Sequence, residues 1–243
     1  MPARFYVPGL SGPTDAVRLP DDEARHLVRV LRLEVGADVA IFDGRGREYL
    51  ARVLSVEGGV VLVQPHAPLD SAPEPTVSLA VAHALLKGRK LDDVVRDLTM
   101  VGVDLIQPLR TERVESRSRD VTRWERIAVA SAKQCRRAVV PRIPPPRTLS
   151  EYLGEVEDDL GLLLVEPTAA DGGQETLSQL AARPRPSRAT LMVGPEGGWS
   201  PGEVAAARAA GFRPITLGRR TWRADAAALC AIGVLQYVWG DFG

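Results

Sequence analysis

The sequence predicts two domains of different class: a small, mostly β, barrel-like domain over residues 1–70, and an α/β domain with a mostly parallel sheet over residues 71–243. Three observations support this division. The first seventy residues carry β-type runs separated by glycine turns. A proline-rich break follows, Pro68-Leu69-Asp70-Ser71-Ala72-Pro73-Glu74-Pro75-Thr76. Beyond it, short apolar runs alternate with stretches of helical period.

Taken in order, Phe5-Tyr6-Val7 reads as a strand. A helix is expected from Asp22 to Arg32, because Ala24, Leu27, Val28 and Leu31 fall at i, i+3, i+4 and i+7 and share one buried face. Arg25, Arg29 and Arg32 then form a neighbouring exposed stripe. Val39-Ala40-Ile41-Phe42 meets Asp43-Gly44, a hairpin signal, and Glu57-Gly58-Gly59 gives a second turn before Val60 to Val63. After the break, Val77 to Ala82, Val103 to Ile106, Leu162 to Val165, Thr190 to Val193 and Ile215 to Leu217 suit buried parallel strands. Leu91, Val94, Val95 and Leu98 make one helix face, with Gly102 as its stop. Thr122-Arg123-Trp124-Glu125 reads as a capping box opening a helix to about Ala138, and Ser200-Pro201-Gly202-Glu203 as another, with Gly211 closing the second helix.

Composition bounds the function. At 45% hydrophobic and 26% charged residues, the mix is that of a folded globular protein, which excludes a disordered chain. No run approaches the roughly 18 apolar residues of a membrane span, and no signal peptide opens the sequence; a cytoplasmic protein is expected. Cys135 and Cys230 form no disulfide framework and no metal-ligand spacing, so no bound metal is expected. Net charge is zero, but it is built from blocks. Residues 110–147 carry eleven basic side chains against four acidic ones, whereas every charged residue from Glu151 to Glu175 is acidic. Such segregation can present a basic face to phosphates or simply a solvated surface.

The most informative segment is Leu191-Met192-Val193-Gly194-Pro195-Glu196-Gly197-Gly198-Trp199-Ser200: a buried strand, a glycine-rich loop and a capped helix start. Ligands of open α/β sheets bind at such strand ends. Gly197 and Gly198 are expected to adopt positive φ and bring backbone close to a ligand. The loop is neither a phosphate-binding P-loop nor a three-glycine dinucleotide fingerprint. A second loop, Leu217-Gly218-Arg219-Arg220-Thr221-Trp222-Arg223-Ala224-Asp225, leads directly into a long apolar helix. Two such strand ends make a two-walled pocket.

Gly194-Pro195-Glu196-Gly197-Gly198, followed by Leu217-Gly218-x-Arg220-x-x-Arg223, resembles the SPOUT methyltransferases, and within them the family that makes N3-methyluridine in 16S ribosomal RNA of the small subunit. The likeness spans nearly the whole chain. It takes in Arg25-His26-Leu27-x-Arg29-Val30-Leu31-Arg32, Lys87-Gly88, Glu112-Arg113 and Lys133-Gln134-Cys135-Arg136-Arg137. The resemblance implies a PUA-like front domain that grips RNA, and a catalytic domain with a carboxyl-terminal trefoil knot. It also implies S-adenosylmethionine as cofactor, cradled by Glu166-Pro167, by Gly194, Pro195, Gly197 and Gly198, and by Leu217, Gly218, Arg220 and Trp222.

For the reaction, Arg223 is the expected stabiliser of the uracil anion, with a salt bridge to Asp225 as the alternative. Glu196 is a possible proton acceptor, with a structural role as the alternative. No histidine is expected near these loops. Arg4, Arg25, Arg29, Arg32, Arg136 and Arg137 are candidate phosphate contacts. Alternative readings are a SPOUT enzyme for another RNA, such as a transfer RNA ribose, and a non-catalytic assembly factor that binds RNA.

The sequence departs from the family pattern at two places. Trp222-Arg223-Ala224-Asp225-Ala226 stands where Leu-Arg-Thr-Glu-Thr is usual, and Arg136 where glycine is usual. The run from Ala226 to Trp239 is apolar on every side apart from Gln236, so it needs a second covering surface; a homodimer is expected through it.

Overall fold

The computed structural model describes residues 2–10, 12–13, 15–114, 120–156, 159–167, 174, 176–239 and 241–242. Arg117 and Arg119 of the basic block lie outside them. The chain forms two compact units, residues 1–74 with Val129–Val140, and residues 75–128 with 141–243. The front unit therefore takes up a stretch that the sequence pattern assigns wholly to the second.

The first unit contains β1 (Ala3–Tyr6), β2 (Val17–Arg18), α1 (Asp21–Arg25) continuing as a π-helical segment His26–Leu31, β3 (Asp38–Phe42), β4 (Glu48–Glu57) and β5 (Val60–Pro68). Its sheet runs β1-β3-β4-β5-β2. Phe5, Leu10, Leu19, Leu27, Ile41, Val53 and Val63 fill the core. The Asp43 carboxylate, buried in the β3–β4 turn, accepts from the Arg45 and Arg47 amides, while Gly44 and Gly46 take the positive φ that the turn requires.

The expected helix face is only half realised. Ala24 and Leu27 are buried, but Val28 is 37% and Leu31 38% exposed. The reason is the change of winding at His26: with i→i+5 bonds, such as Arg32 N–H to the Leu27 carbonyl, the stripe expected at 3.6 residues per turn rotates away from the core. Arg32 ends this segment in the left-handed region, φ 52°.

The rest of the first unit comes from the end of α3 (Val121–Cys135) and the residues after it. Ala132 and Ala138 pack on Phe42, and the β3–β4 turn bonds this segment through Gly44 and Gly46. Asp120, not Thr122, caps α3, accepting from the Arg123 amide. The helix stops at Cys135 because Arg136 turns left-handed, φ 68°.

The second unit adds β6 (Ser78–Ala84), α2 (Lys90–Met100), β7 (Leu105–Arg110), β8 (Arg147–Thr148), α4 (Leu149–Leu153), β9 (Leu160–Leu164), α5 (Leu177–Ala181), β10 (Arg188–Val193), α6 (Pro201–Ala209), β11 (Arg213–Ile215) and α7 (Ala224–Trp239). Its six strands run β11-β9-β10-β6-β7-β8, every pair parallel. Parallel strands covered on both faces need continuous apolar runs, and β10 supplies one, buried from Ala189 to Val193. The expected α2 face, Leu91, Val94, Val95 and Leu98, is buried, and Gly102 follows at φ 85°. Ser200 and Glu203 form the expected capping box of α6 with Pro201 in its first turn. Thr148 with Glu151 forms another at α4, unforeseen from the sequence. All carboxyl ends of the sheet point the same way, which puts three successive loops side by side.

Candidate active site

Those loops enclose a cleft of about 240 Å³. Its walls are Leu164 to Pro167 after β9, Val193 to Trp199 after β10, and Leu217 with Arg220 to Asp225 before and into α7. Every residue expected to cradle a cofactor lines it except Gly218, which serves the turn with φ 80°.

The loop after β10 is shaped by backbone. The Gly198 amide closes a turn on the Pro195 carbonyl at 2.9 Å, and Gly198 sits at φ 68°. Gly197, expected to share that conformation, does not; a Cβ there would meet the Arg113 side chain at 3.3 Å, and Arg113 Nη1 donates to the Gly197 carbonyl at 2.9 Å. A Cβ on Gly194 would lie 3.1 Å from the Trp199 ring, whose Nε1 donates to the Leu164 carbonyl at 2.9 Å and ties this loop to the end of β9.

Glu196 has a structural partner. It accepts from Lys90 Nζ at 2.8 Å and from the Lys87 amide at 3.3 Å. Burial pushes its carboxyl pKa up, but these donors outweigh burial and hold it below the ordinary range. A carboxylate stabilised in its charged form is a poor proton acceptor, so the general-base role expected for Glu196 is not supported by its surroundings.

The loop before α7 is shaped by side chains. Trp222 Nε1 donates to the Leu217 carbonyl at 3.2 Å. Arg223 forms a fork on Asp225, Nε to Oδ1 at 3.1 Å and Nη2 to Oδ2 at 2.7 Å. Burial raises the Asp225 pKa, and Arg223 more than reverses it. The expected salt bridge is therefore present, yet it does not use up the guanidinium: it takes two of the five N–H donors, and the side chain is 74% exposed. His83 is the surprise. It is fully buried at the end of β6, and its Nε2 lies 3.1 Å from the Ala224 carbonyl, so a histidine does support these loops. Burial, the larger influence, lowers its pKa.

The arginines expected to touch phosphate separate into two groups. Arg25, Arg29, Arg32 and Arg136 are exposed. Arg4 and Arg137 are not available. All five donors of Arg4 are engaged, by both Glu48 oxygens and the carbonyls of Ala132, Lys133 and Arg137, and its side chain is 10% exposed. Arg137 is 4% exposed and forks onto Glu74. Both are struts inside the front unit, because a guanidinium so buried must be fully paired.

Lys90, Trp199, Arg113 and His83 are site residues that the sequence did not single out. Trp199 and Arg113 stand inside motifs that it did. Lys90 and His83 carry no local signal, because the cleft residues they reach, Glu196 and Ala224, lie more than a hundred residues away.

Among the described residues no group of His, Cys, Asp and Glu is placed to hold a metal ion, and no helix is long and apolar enough to cross a membrane. A family model for the RNA methyltransferase domain matches residues 72–236, and one for the RNA methyltransferase PUA domain matches residues 19–64. Ribosomal RNA small subunit methyltransferase E of Synechocystis is 32% identical, covering 90% of this chain and 72% of that protein; the one from Mycobacterium bovis is 31% identical, covering 97% and 92%. The crystal structure of a ribosomal RNA small subunit methyltransferase E from Neisseria gonorrhoeae bound to S-adenosyl methionine matches with a TM-score of 0.89 at 30% identity, covering 100% of both chains. With the RNA methyltransferase domain model spanning most of its length and relatives above 30% identity aligned over at least 90% of this chain, it belongs to the RNA methyltransferases, in the ribosomal RNA small subunit methyltransferase E family.

Proposed function

We propose that the protein methylates N3 of a uridine in the 16S ribosomal RNA of the small subunit, with S-adenosylmethionine as methyl donor, in the cytoplasm. The observation that carries this reading is the convergence of three loops on one cleft at the carboxyl ends of a parallel sheet, in a chain of this family. The residues fit the cofactor. Gly194 and Gly198 keep side chains off the wall, Leu164, Val193, Leu217 and Trp222 offer apolar surface to an adenosyl group, and Glu166, Pro167, Pro195, Gly197 and Arg220 complete the lining. S-adenosylmethionine supplies an electrophilic methyl on a sulfonium. The chain's part is to hold both partners in line, from which most of the acceleration of such a displacement can come.

Uracil N3 becomes nucleophilic as its proton leaves, and the charge spreads to O2 and O4. Arg223 answers that charge with the donors left over from its fork on Asp225. Glu196, fixed by Lys90, orders the loop. The uridine has to be splayed from its neighbours for N3 to be reached, and Arg25, Arg29, Arg32 and Arg136 hold the surrounding phosphates. The sheet order, with β10 between β9 and β6 and β11 outside β9, supports the threaded carboxyl-terminal knot that the family resemblance implies.

The test is methyl incorporation into small subunits from a strain lacking the enzyme, followed by nucleoside analysis. N3-methyluridine is expected. A ribose-methylated product overturns the base assignment, and no incorporation turns the reading to a non-catalytic RNA-binding factor.

We also infer a homodimer through α7. One side of the helix packs on α2 and β10, while Leu229, Cys230, Gly233, Val234 and Tyr237 stay partly or fully exposed along another. An apolar stripe of this kind suits a second copy. Sedimentation equilibrium at micromolar concentration is expected to give twice the chain mass of 26.2 kDa; a fully active monomer overturns it.

A further inference from the structure

His83 lies in the middle of the second sheet, in register with Val193 on one side and Pro108 on the other, and it has no exposed surface. Its ring does not line the cleft. Each ring nitrogen faces a backbone carbonyl: Nδ1 is 2.7 Å from the Ala84 oxygen, and Nε2 is 3.1 Å from the Ala224 oxygen. A carbonyl only accepts, and a neutral imidazole has a single N–H to donate. Burial, the largest influence, lowers the His83 pKa against the two carbonyl contacts and keeps the ring neutral, so a single N–H serves the two carbonyls, and the tautomer protonated at Nε2 is the one that ties Ala224. At a core position flanked by Ala82 and Ala84, an apolar side chain would carry no such demand.

What the ring reaches accounts for its presence. Ala224 is the first residue of α7 and stands between Arg223 and Asp225, the two ends of the fork in the cleft. The neighbouring Arg223 carbonyl already accepts from the Ala226 and Ala227 amides, so the helix start is fixed along its own axis. The His83 contact is a sideways tie to a different strand, 141 residues away in sequence.

We propose that His83 is a positioning residue: by donating from Nε2 to the Ala224 carbonyl it fixes the turn that aims the Arg223 guanidinium at the developing uracil anion. The proposal rests on the role of Arg223 given above, and its test separates the two.

His83→Leu removes the donor with little change in bulk, and His83→Gln keeps a side-chain N–H donor. Turnover, KM for small subunits and cofactor affinity are measured for both, for Arg223→Ala, and for His83→Leu combined with Arg223→Ala. His83→Leu is expected to lower kcat about 30-fold, within the range known for small misplacements of a catalytic group, with KM and cofactor affinity within about threefold. His83→Gln is expected to recover most of the loss. The double variant should be no slower than Arg223→Ala alone, because one residue acts through the other.

Multiplying defects, or an unchanged kcat in His83→Leu, overturn the proposal while leaving Arg223 in place. A wild-type rate for Arg223→Ala overturns the Arg223 reading itself and, with it, the proposal. If His83→Leu does not fold, the same cycle run with His83→Gln separates the same outcomes.

Discussion

The loop after β10 and the loop entering α7 line the same cleft but keep their shape by different means. From Gly194 to Gly198 the chain relies on backbone: a turn closed by an amide, one left-handed glycine, and a glycine that leaves room for an indole ring. From Leu217 to Asp225 it relies on side chains: an indole on a carbonyl, a guanidinium on a carboxylate, and a buried imidazole from another strand. The first kind of loop leaves little room for added atoms at Gly194 and Gly197, and at Gly198 its constraint is the left-handed backbone. The second tolerates substitution where the replacement keeps its partner, which gives a physical setting for Ala224, Asp225 and Ala226 where the family pattern has other residues. The Arg223–Asp225 fork survives the shorter carboxylate, and its geometry calls on neither missing hydroxyl.

Cofactor affinity measured by calorimetry, with turnover beside it, can break this contrast, and four variants rank by expected effect. Gly198→Val should abolish measurable binding, a loss of at least about 100-fold, since a β-branched residue at φ 68° is costly and its Cβ points toward Glu166. Wild-type affinity there removes the backbone account of the first loop. Arg223→Ala should change affinity less than about threefold while lowering kcat about 100-fold, the usual scale for losing one donor to a developing anion. Its counterpart Glu196→Gln should lower kcat only a few-fold; a loss as large as that of Arg223→Ala restores Glu196 as the base. The smallest effect on affinity is expected for the combined Arg25, Arg29 and Arg32 to alanine variant. It should bind cofactor as wild type does, while RNA affinity falls and its salt dependence flattens as phosphate contacts disappear. An unchanged salt slope reduces that stripe to solvated surface.

The pH dependence has a definite sign. Glu196 and Asp225 both have carboxyl pKa values held below the ordinary one, near 4 for such groups, by Lys90 and Arg223 against the opposing effect of burial. The stabilisation that their ion pairs give to the cleft is therefore complete above the ordinary carboxylate pKa and is lost as pH falls through the lowered values. Both carboxylates are partly exposed, so solvent screening keeps the contribution small.

The strands of the second unit were legible because a parallel strand buried on both faces must be a continuous apolar run, and Thr190 to Val193 or Leu162 to Val165 can be little else. The Gly194 to Gly198 loop was legible for a related reason: glycine is a residue type whose backbone use shows in sequence. Three features were not. The switch to π winding at His26 leaves no trace in a pattern that fits 3.6 residues per turn. The cap of α3 went to Asp120 because either residue can cap and only the backbone path decides. Arg4 and Arg137 read as surface cations, since the Glu48 and Glu74 that bury them are paired by tertiary structure alone.

The placement of β10 has a bearing on how the protein is made. Its partners in the sheet, β6 and β9, are separated in sequence by 75 residues, and the third wall of the cleft comes from Leu217 onward. During synthesis the amino-terminal strands β3, β4 and β5 can pair with their immediate neighbours as they emerge, whereas the cleft waits for contacts between distant segments, which close slowly. A nascent chain lacking the segment that leads into α7 has two walls and no Arg223. Cofactor capture and catalytic competence are therefore expected together, once the segment from Leu217 into α7 is in place.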